Sequence, residues 1–339
     1  MADKIKSRIR NTIVDLGLRF RRTKWENKSK TKLLIAINSY FTKEAWLDAI
    51  KTKNLKDVDV VFCSKRLDIV KHYADADICF LFSYNNYIAK NNFPFKRKLI
   101  YFPSQGLEFL HGKPIPVCVE IHKAPPVSAE AIAEYCIAMS IIALRNLQHS
   151  FYSFTIKKWA QKKILHSSYE SLQNKTVGVL GLGKIGSHIA LLFKKIGCKV
   201  IGCDSNVKHR INSIEVLYSP KELEEFLRKT NILIVCLPLT EDTRNLLTKK
   251  ELTNLDSNAI LINISRGEIV NESDLIEQLK AKKLKAAVID VFTKEPLASN
   301  SAFYKLDNAI LTPHVAGNIN LFTRKIQADF LQKVIQFKP

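Results

Sequence analysis

Residues 176–190 place a strand, a glycine-rich turn and the start of a helix in direct succession. They read TVGVLGLGKIGSHIA, with Gly181, Gly183 and Gly186 in the spacing GxGxxG. In such a unit the first glycine allows a tight turn, the second lets a pyrophosphate approach the backbone, and the third lets helix and strand pack closely. The N-terminus of the helix then faces the anion. Glycines also occupy ordinary turns, so the motif needs support from the residues that follow.

That support comes from the next predicted strand, which ends in Asp204, 18 residues after Gly186. A carboxylate at about this spacing binds the ribose hydroxyls of a dinucleotide and repels a 2′-phosphate, which favours NAD over NADP. Lys208 and Arg210 follow closely and keep NADP as an alternative. A loop for nucleoside triphosphates would need a Lys followed by Ser or Thr, and Ser187-His188 stand there instead.

Short apolar runs alternate with helical patterns along most of the chain, which predicts parallel sheets with crossover helices. The first half contains the predicted strands Leu33–Ile37, Val58–Phe62, Ile78–Phe82, Leu99–Phe102 and Ile115–Val119. The second half contains the predicted strands Thr176–Leu180, Lys199–Cys203, Ile232–Leu237, Ala259–Ile264, Ala286–Ile289 and Ala309–Leu311. Six strands with intervening helices match the size of a doubly wound dinucleotide-binding domain.

Two predicted helices bear on how the chain divides into domains. Ser128 is a candidate N-cap for a long apolar helix that runs to about Leu147. A last helix covers roughly Ile319–Phe337. A terminal helix of that length can cross back to the first domain, and the second domain would then be inserted in the first.

The net charge of +21 is the unusual feature of the composition, and residues 1–32 contribute +8 of it. Such a balance favours anionic partners, whether nucleic acid, acidic lipid or a small substrate, but a solvated lysine-rich surface explains it equally well. The first 31 residues also carry apolar side chains at helical spacing. They predict an amphipathic helix that packs on the body or on a second subunit, with a membrane-surface helix and a transit peptide as alternatives. The apolar positions are Ile5, Ile9, Ile13, Leu16 and Phe20.

The seven cysteines form no CxxC pair, and most lie in apolar strand-like runs. This pattern argues against a disulfide framework or a zinc ribbon, so we predict no metal and a reducing, cytoplasmic location. No run reaches the ~18 uncharged apolar residues of a transmembrane helix, so no membrane span is expected.

Five sequence blocks stand in order along the second half of the chain. They are VGVLGLGKIG, CLPLTEDTRNLL (236–247), LINISRGEIVNESDL (261–275), AAVIDVFTKEPL (286–297) and LTPHVAG (311–317). Together they resemble the D-isomer-specific 2-hydroxyacid dehydrogenases. The resemblance covers nearly everything from about residue 33 onward and is strongest from 175 to 318. It implies an oxidoreductase that uses NAD to interconvert a 2-keto acid and a D-2-hydroxy acid in a cleft between two domains.

The resemblance implies a domain organisation that agrees with the strand pattern. The expected fold class is α/β with two doubly wound parallel-sheet domains, a Rossmann NAD-binding domain being inserted in a flavodoxin-like substrate domain. We divide the chain into a basic extension (1–31), a substrate domain in two segments (32–143 and 315–339), and an NAD-binding domain (144–314). The family is usually dimeric, so a homodimer is expected.

The resemblance also implies a catalytic triad of Arg266, Glu295 and His314. Hydride transfer to a ketone leaves negative charge developing on its oxygen, so a positioned proton donor is required, and histidine suits that task. A neighbouring carboxylate fixes the imidazole and favours its protonated form. A planar guanidinium can bind the carboxylate of a 2-keto acid and polarise the adjacent carbonyl.

Further contacts follow from the same resemblance. Beyond the three glycines and Asp204, the expected cofactor contacts are Lys184, Ile185, Leu237, Pro238, Ile264, Ser265, Asp290 and Gly317, with Asp290 facing the nicotinamide carboxamide. In the first domain, backbone amides in loops after strands are expected to bind the substrate carboxylate. The candidates there are Ser83, Gln105 and Gly106, together with Arg266 from the second domain. The aromatic residues Phe82, Tyr84, Tyr87 and Phe93 could shape a larger pocket or belong to the core.

Two alternative functions stay open. Some members of the family are NADH-sensing interaction proteins such as corepressors, and the basic extension gives some reason to consider this, although nucleic-acid binding is not favoured. A relative acting on another small anion is the second alternative. Family members that oxidise formate carry Gln at the position of Glu295, which counts against that activity.

Overall fold

The computed structural model describes residues 30–90, 97–104, 106–125, 128–159, 170–205, 212–317 and 320–337. These residues form two compact units, one from those up to Pro125 together with those from Thr323 onward, the other from those of Pro126–Phe322. Each unit is built on its own parallel sheet, which confirms the predicted α/β class. No helix in these ranges has the length and apolar character needed to cross a bilayer. Residues 1–29 of the predicted basic extension lie outside the described ranges.

The first unit contains, within the described residues, a five-stranded parallel sheet in the order β2-β1-β3-β4-β5. Its strands are β1 Thr31–Ala36, β2 Val58–Cys63, β3 Ile78–Phe80, β4 Lys98–Phe102 and β5 Val119–Lys123. The connecting helices are α1 Lys43–Thr52, α2 Arg66–Tyr73 and α3 Asn86–Lys90. This strand order is the flavodoxin-like one.

The prediction of a strand at Ile115–Val119 is wrong, because the strand begins only at Val119. Pro116 lies within the predicted run, and proline lacks the N–H that a sheet ladder requires. The backbone N–H of Val119 instead donates to the carbonyl of Pro116 at 2.9 Å, which closes a turn before β5. The strand lies at the edge of the sheet, where Glu120 and His122 are half-buried, so it presents no apolar run to recognise.

Aromatic side chains form the centre of the first unit. The rings of Trp46, Phe80 and Phe330 contact one another with centroids 4.9–5.3 Å apart. Phe330 belongs to the last helix, Asn320–Gln336, which therefore packs on the first sheet as expected. Tyr84 is fully buried and Phe82 packs against Phe80 at 5.7 Å, so both belong to this core.

The second unit contains, in its described part, a seven-stranded parallel sheet in the order β12-β11-β10-β9-β6-β7-β8. Its strands are β6 Thr176–Leu180, β7 Lys199–Cys203, β8 Val216–Tyr218, β9 Ile232–Val235, β10 Ile260–Asn263, β11 Ala286–Ile289 and β12 Ala309–Leu311. Six of these strands are predicted from the sequence. The edge strand β8 is not, because Val216 and Leu217 are exposed and give no buried run.

The helices of the second unit cover both faces of its sheet. They are α4 Ala129–Leu144, α5 Leu147–Thr155, α6 Lys184–Lys195, α7 Leu223–Arg228, α8 Lys249–Leu252 and α9 Glu272–Lys280, and α10 is the last helix already described. The long helix predicted to reach Leu147 ends earlier, because Asn146 adopts a left-handed conformation with φ 50° between α4 and α5. Asparagine is one of the few residues that tolerate this conformation after a helix.

The limits of the two units differ from the proposed domain division at 143/144 and 314/315. Helix α4 lies in the second unit because Ile132, Cys136 and Ala143 share one core cluster with Val177 and Ile189. The second unit likewise extends to Phe322 before the chain returns to the first.

Candidate active site

The predicted cofactor and catalytic residues of the second unit gather at one edge of its sheet. Parallel strands end at the same edge, and the loops after β6, β7, β9, β10, β11 and β12 all leave it there. These loops carry, in that order, Gly181, Asp204, Leu237, Arg266, Asp290 and His314. The strand order reverses between β6 and β9, and ligands of doubly wound sheets bind at such a reversal.

The glycine loop has the close packing that its motif predicts. Gly181 has φ +97°, and a Cβ there would lie 2.8 Å from the carbonyl oxygen of Cys236. A Cβ on Gly186 would lie 1.9 Å from the carbonyl oxygen of Gly181, so only glycine lets α6 begin against the strand. A Cβ on Gly183, by contrast, would meet no heavy atom of the described residues within 4 Å. The loop is therefore packed at its two outer glycines and open at the middle one.

Asp204 stands beside this loop, directly after β7. Its Oδ2 accepts a hydrogen bond from the backbone N–H of Leu182 at 2.6 Å. The bond holds a carboxylate next to the open side of the glycine turn, as expected for a residue that binds ribose hydroxyls. Lys208 and Arg210, which bear on the alternative NADP, lie outside the described residues.

His314 and Glu295 form a direct pair. The Nδ1 atom of His314 lies 2.9 Å from Oε2 of Glu295. An ionised carboxylate can only accept, so Nδ1 carries the proton in this pair. The second oxygen of Glu295 accepts from the backbone N–H of Phe292 at 3.0 Å, which fixes the carboxylate from the other side. Both side chains are partly exposed, at 51% for His314 and 38% for Glu295, so a ligand can reach them.

The backbone at His314 is held in an uncommon conformation. Its φ is 56°, in the left-handed region that residues with a Cβ seldom adopt. Its N–H donates to the carbonyl of Asp290 at 2.8 Å, so the loop after β12 is tied to the end of β11. Backbone strain of this kind persists where the surrounding structure fixes it, and it concentrates at functional sites.

The loop that carries Arg266 is shaped by a buried asparagine. Asn263 ends β10, and its Nδ2 donates to the carbonyl of Arg266 at 3.0 Å. Its Oδ1 accepts from both the N–H and the hydroxyl of Ser265, at 3.2 and 3.0 Å. The guanidinium of Arg266 donates to the carbonyl of Ser265 at 2.7 Å. The turn is therefore set by side-chain bonds rather than by a regular element.

Gly267 brings this loop against the one that carries Glu295. A Cβ on Gly267 would lie 2.1 Å from the carbonyl carbon of Phe292 and 2.2 Å from the backbone nitrogen of Thr293. Only glycine permits this approach. The loops of Arg266 and Glu295 are therefore in direct backbone contact, and Glu295 in turn contacts His314.

Asp290 binds the same loop as His314 through its side chain. Its Oδ1 accepts from the hydroxyl of Thr312 at 2.6 Å and from the N–H of Val315 at 2.9 Å. Its Oδ2 accepts from the N–H of Ala316 at 3.0 Å. Asp290 is only 1% exposed, and its carboxylate accepts three hydrogen bonds. These bonds fix the carboxylate at this edge of the sheet.

The other predicted cofactor residues occupy the same loops. Lys184 and Ile185 open α6, and Ile264 and Ser265 lie between β10 and Arg266. Leu237 and Pro238 follow β9, where the carbonyl of Pro238 accepts from the hydroxyl of Thr243 at 2.6 Å. A Cβ on Gly317 would lie 3.2 Å from the Cβ of Ser128, so this glycine allows the chain to pass close to the start of α4.

The predicted substrate contacts of the first unit lie in loops that follow β3 and β4. Ser83 is exposed, in a loop held by a hydrogen bond from the hydroxyl of Tyr84 to the carbonyl of Pro114 at 3.2 Å. The hydroxyl of Ser104 donates to the carbonyl of Gly106 at 2.9 Å and closes the second loop. Gln105 lies outside the described residues.

Three residues that shape the site are missing from the sequence-based set. Asn263 and Gly267 flank Arg266 in the NISRG segment, and an asparagine at a strand end that bonds nearby backbone groups is a recognisable turn signal. Thr312 precedes Pro313 and His314, but nothing in the sequence indicates that its hydroxyl reaches Asp290, 22 residues earlier.

The thiols near this edge do not contribute reactive groups. Cys236 follows β9, and its burial raises the pKa of the thiol to about 12. Burial also holds the pKa of Cys136 well above its ordinary value. Among the described residues, no group of three or more His, Cys, Asp and Glu side chains is arranged to bind a metal ion.

Comparison with known proteins agrees with this geometry. The family model for the NAD-binding domain of D-isomer specific 2-hydroxyacid dehydrogenases matches residues 137–316. A glyoxylate reductase from Aeropyrum pernix is 33% identical over 205 residues, which are 58% of this chain and 60% of that relative. This match and those to two D-3-phosphoglycerate dehydrogenases, from Archaeoglobus fulgidus and Methanocaldococcus jannaschii, span between 36% and 60% of the relatives' own length.

Solved structures extend the likeness to the fold of nearly the whole chain. A D-isomer specific 2-hydroxyacid dehydrogenase family protein from Aeromonas salmonicida has a TM-score of 0.76 at 24% identity, covering 91% of this chain and 94% of its own. A D-isomer specific 2-hydroxyacid dehydrogenase from Xanthobacter autotrophicus, in complex with NADPH and MES, has a TM-score of 0.73 at 22% identity, covering 90% and 94%. The family model matches more than half of the chain, which therefore belongs to the D-isomer specific 2-hydroxyacid dehydrogenase family.

Proposed function

We propose that this protein is an NAD-dependent oxidoreductase that interconverts a 2-keto acid and a D-2-hydroxy acid. The observation that carries the proposal is the 2.9 Å contact between His314 and Glu295 at the sheet edge that also holds the glycine loop. A histidine oriented by a carboxylate is a suitable acid or base, and it lies at the edge where a dinucleotide of this fold binds.

The residues present fit a nicotinamide dinucleotide. The open side of Gly183 leaves room for a pyrophosphate at the start of α6, where helix N–H groups favour an anion. Asp204 would bind the ribose hydroxyls and Asp290 the nicotinamide carboxamide. Lys184 and Ile185 would lie along the pyrophosphate, Leu237 and Pro238 on the adenine side, and Ile264, Ser265 and Gly317 near the reacting end. When bound, the nicotinamide supplies or accepts the hydride.

Three side chains would carry the proton and charge chemistry. Arg266 would bind the substrate carboxylate and polarise the adjacent carbonyl, because a planar guanidinium suits both tasks. His314 would give a proton from Nε2 to the carbonyl oxygen during reduction and take it back during oxidation. Glu295 would hold the ring by its bond to Nδ1 and stabilise the imidazolium.

NAD is the cofactor that Asp204 favours. Its carboxylate, fixed by the N–H of Leu182, would repel the 2′-phosphate of NADP. The Xanthobacter neighbour was solved with NADPH, so at least one protein of this fold binds that cofactor. A direct comparison of NADH and NADPH therefore forms part of the test below.

The substrate would be a small 2-keto acid. Arg266 would bind its carboxylate, and we propose Ser83, Gln105 and Gly106 as further substrate-binding residues that act through backbone N–H groups. The Aeropyrum relative is named a glyoxylate reductase, which makes glyoxylate a reasonable first substrate. We further propose that the protein acts as a homodimer in the cytoplasm.

A screen of 2-keto acids tests this function. Purified protein is mixed with NADH or NADPH and each acid, beginning with glyoxylate, hydroxypyruvate and pyruvate, and absorbance at the reduced-nicotinamide band is followed. We expect oxidation of NADH by at least one acid and a slower reaction with NADPH. No oxidation with any acid, together with tight binding of a macromolecule, would contradict the proposal and favour the NADH-sensing interaction protein.

A further inference from the structure

A tyrosine on helix α4 reaches the predicted carboxamide-binding residue through one intermediate. The hydroxyl of Tyr135 lies 2.6 Å from Oγ1 of Thr312, and Thr312 donates to Oδ1 of Asp290 at 2.6 Å. Thr312 has a single hydroxyl proton, and its hydroxyl donates that proton's hydrogen bond to the carboxylate, which can only accept. Tyr135 must therefore be the donor to Thr312. The hydrogen bonds then run in one direction, from Tyr135 through Thr312 to Asp290.

The hydrogen bonds to Asp290 determine which acceptor positions of its carboxylate are left for a ligand. A carboxylate offers about four acceptor positions. The described residues use two on Oδ1 and one on Oδ2, the donors being Thr312, Val315 and Ala316. The remaining acceptor position on Oδ2 suits an N–H donor, and the amide nitrogen of a nicotinamide carboxamide is such a donor.

The hydrogen bonds from Tyr135 to Thr312 and from Thr312 to Asp290 are shielded from solvent, so they are stronger than exposed hydrogen bonds. Asp290 and Cys136 are buried, and Tyr135 is largely shielded. Burial raises the pKa of the Tyr135 hydroxyl, so it stays protonated and remains a donor. In a shielded site each hydrogen bond of a chain polarises the next, so loss of the first donor weakens the second bond.

We propose that Tyr135 is a positioning residue that holds Thr312, and through it the carboxylate of Asp290, in the orientation that binds the nicotinamide carboxamide. The inference rests on the proposed function, since it assumes that Asp290 binds that group. Tyr135 touches neither His314 nor Glu295 in any of these bonds, so its effect should lie in cofactor recognition rather than in proton transfer.

The test removes the tyrosine hydroxyl and compares two cofactors by isothermal titration calorimetry. One is NADH, and the other is its reduced 3-acetylpyridine analogue, in which a methyl group replaces the carboxamide nitrogen. We expect Tyr135→Phe to weaken NADH binding about fivefold, the size expected for losing one hydrogen-bond link. Binding of the analogue, which has no N–H for Asp290, should stay within about twofold. Equal weakening of both cofactors would show a merely structural role and overturn the inference.

Matched variants distinguish loss of the Tyr135–Thr312–Asp290 hydrogen bonds from nonspecific destabilisation of the protein. Tyr304→Phe removes a hydroxyl from a tyrosine that is 57% exposed, and it should leave both affinities unchanged. Thr312→Val should reproduce the cofactor-specific loss, whereas Thr312→Ser, which keeps the hydroxyl, should not. A specific loss in Tyr135→Phe without one in Thr312→Val would contradict the relay through Thr312.

An Asp290→Ala variant distinguishes failure of this inference from failure of the proposed function. If Asp290→Ala removes the preference for NADH over the analogue while Tyr135→Phe keeps it, the role of Tyr135 is refuted and the function stands. If Asp290→Ala leaves the preference intact, or the wild-type protein binds neither cofactor, the proposed binding mode itself fails and the inference fails with it.

Discussion

The two units differ in how strongly the structure of their loops depends on particular residue types. In the second unit, three of the loops at the strand ends are each fixed by a particular side chain or by the absence of one: Asn263 bonds the Arg266 turn, Asp290 bonds the His314 turn, and Gly267 allows the backbone of the Glu295 loop to approach. In the first unit, the proposed contribution of Ser83 and Gly106 is a backbone amide, which almost any residue type can supply. The second unit is therefore recognisable from its residues, and the first is recognisable mainly from its strand order.

The largest expected effects on cofactor binding come from alanine at Gly186 and Gly183 of the second unit, two glycines that differ in packing. Alanine at Gly186 would place a Cβ 1.9 Å from the Gly181 carbonyl, so the helix must move. We expect Gly186→Ala to lower the melting temperature by about 5 °C and to weaken NADH binding about 100-fold.

Gly183→Ala is the matched control, because its Cβ meets no described atom within 4 Å. It should melt like the wild-type protein yet lose NADH binding, since the Cβ occupies the space of the pyrophosphate. Calorimetric binding and thermal melting of both variants provide the check. Normal NADH binding by Gly183→Ala would show that no dinucleotide lies along this loop.

A smaller effect is expected when the partner of His314 loses its charge. Glu295→Gln keeps the shape of the side chain but offers an amide where the imidazole requires a carboxylate. We expect turnover to fall about 30-fold, within the range for weakened acid–base catalysis, with little change in NADH affinity. Steady-state rates of NADH oxidation measure this. Unchanged turnover would mean that the 2.9 Å contact has no part in proton transfer.

The smallest effect belongs to the first unit. Ser83→Ala removes an exposed hydroxyl but keeps the backbone N–H, so turnover and KM should both stay within about twofold of the wild-type values. A large rise in KM would contradict this difference between the units, because it would show that the first unit also recognises substrate through a specific side chain.

The strands that the sequence predicts correctly are those with buried apolar runs. Strands such as β7 and β11 are buried over most of their length and stand out as short apolar segments. Strand β5 begins later than the sequence predicts because it lies at an edge and is preceded by Pro116, and β8 gives no buried run because its first two residues are exposed. Edge strands give a weak signal because one side of their ladder faces solvent.

In the candidate site, the spacing of residues along the sequence predicts those that work within one local unit. It does not predict side chains that contact residues far away in the sequence. The glycines and Asp204 belong to one local unit, so their spacing carries the prediction. The bond between Tyr135 and Thr312 joins residues 177 positions apart. Such a contact depends on how α4 packs against the sheet, and no local sequence pattern predicts it.

The most direct test of the central claim is to replace His314 with Gln and to measure turnover and NADH affinity on the same preparation. We expect turnover to fall about 1000-fold, the loss expected when a positioned acid–base group is removed. The NADH dissociation constant should change by less than about twofold, because the glycine loop and Asp204 are untouched. Turnover equal to that of the wild-type protein would contradict the assignment of His314 as the proton donor and, with it, the proposed reaction.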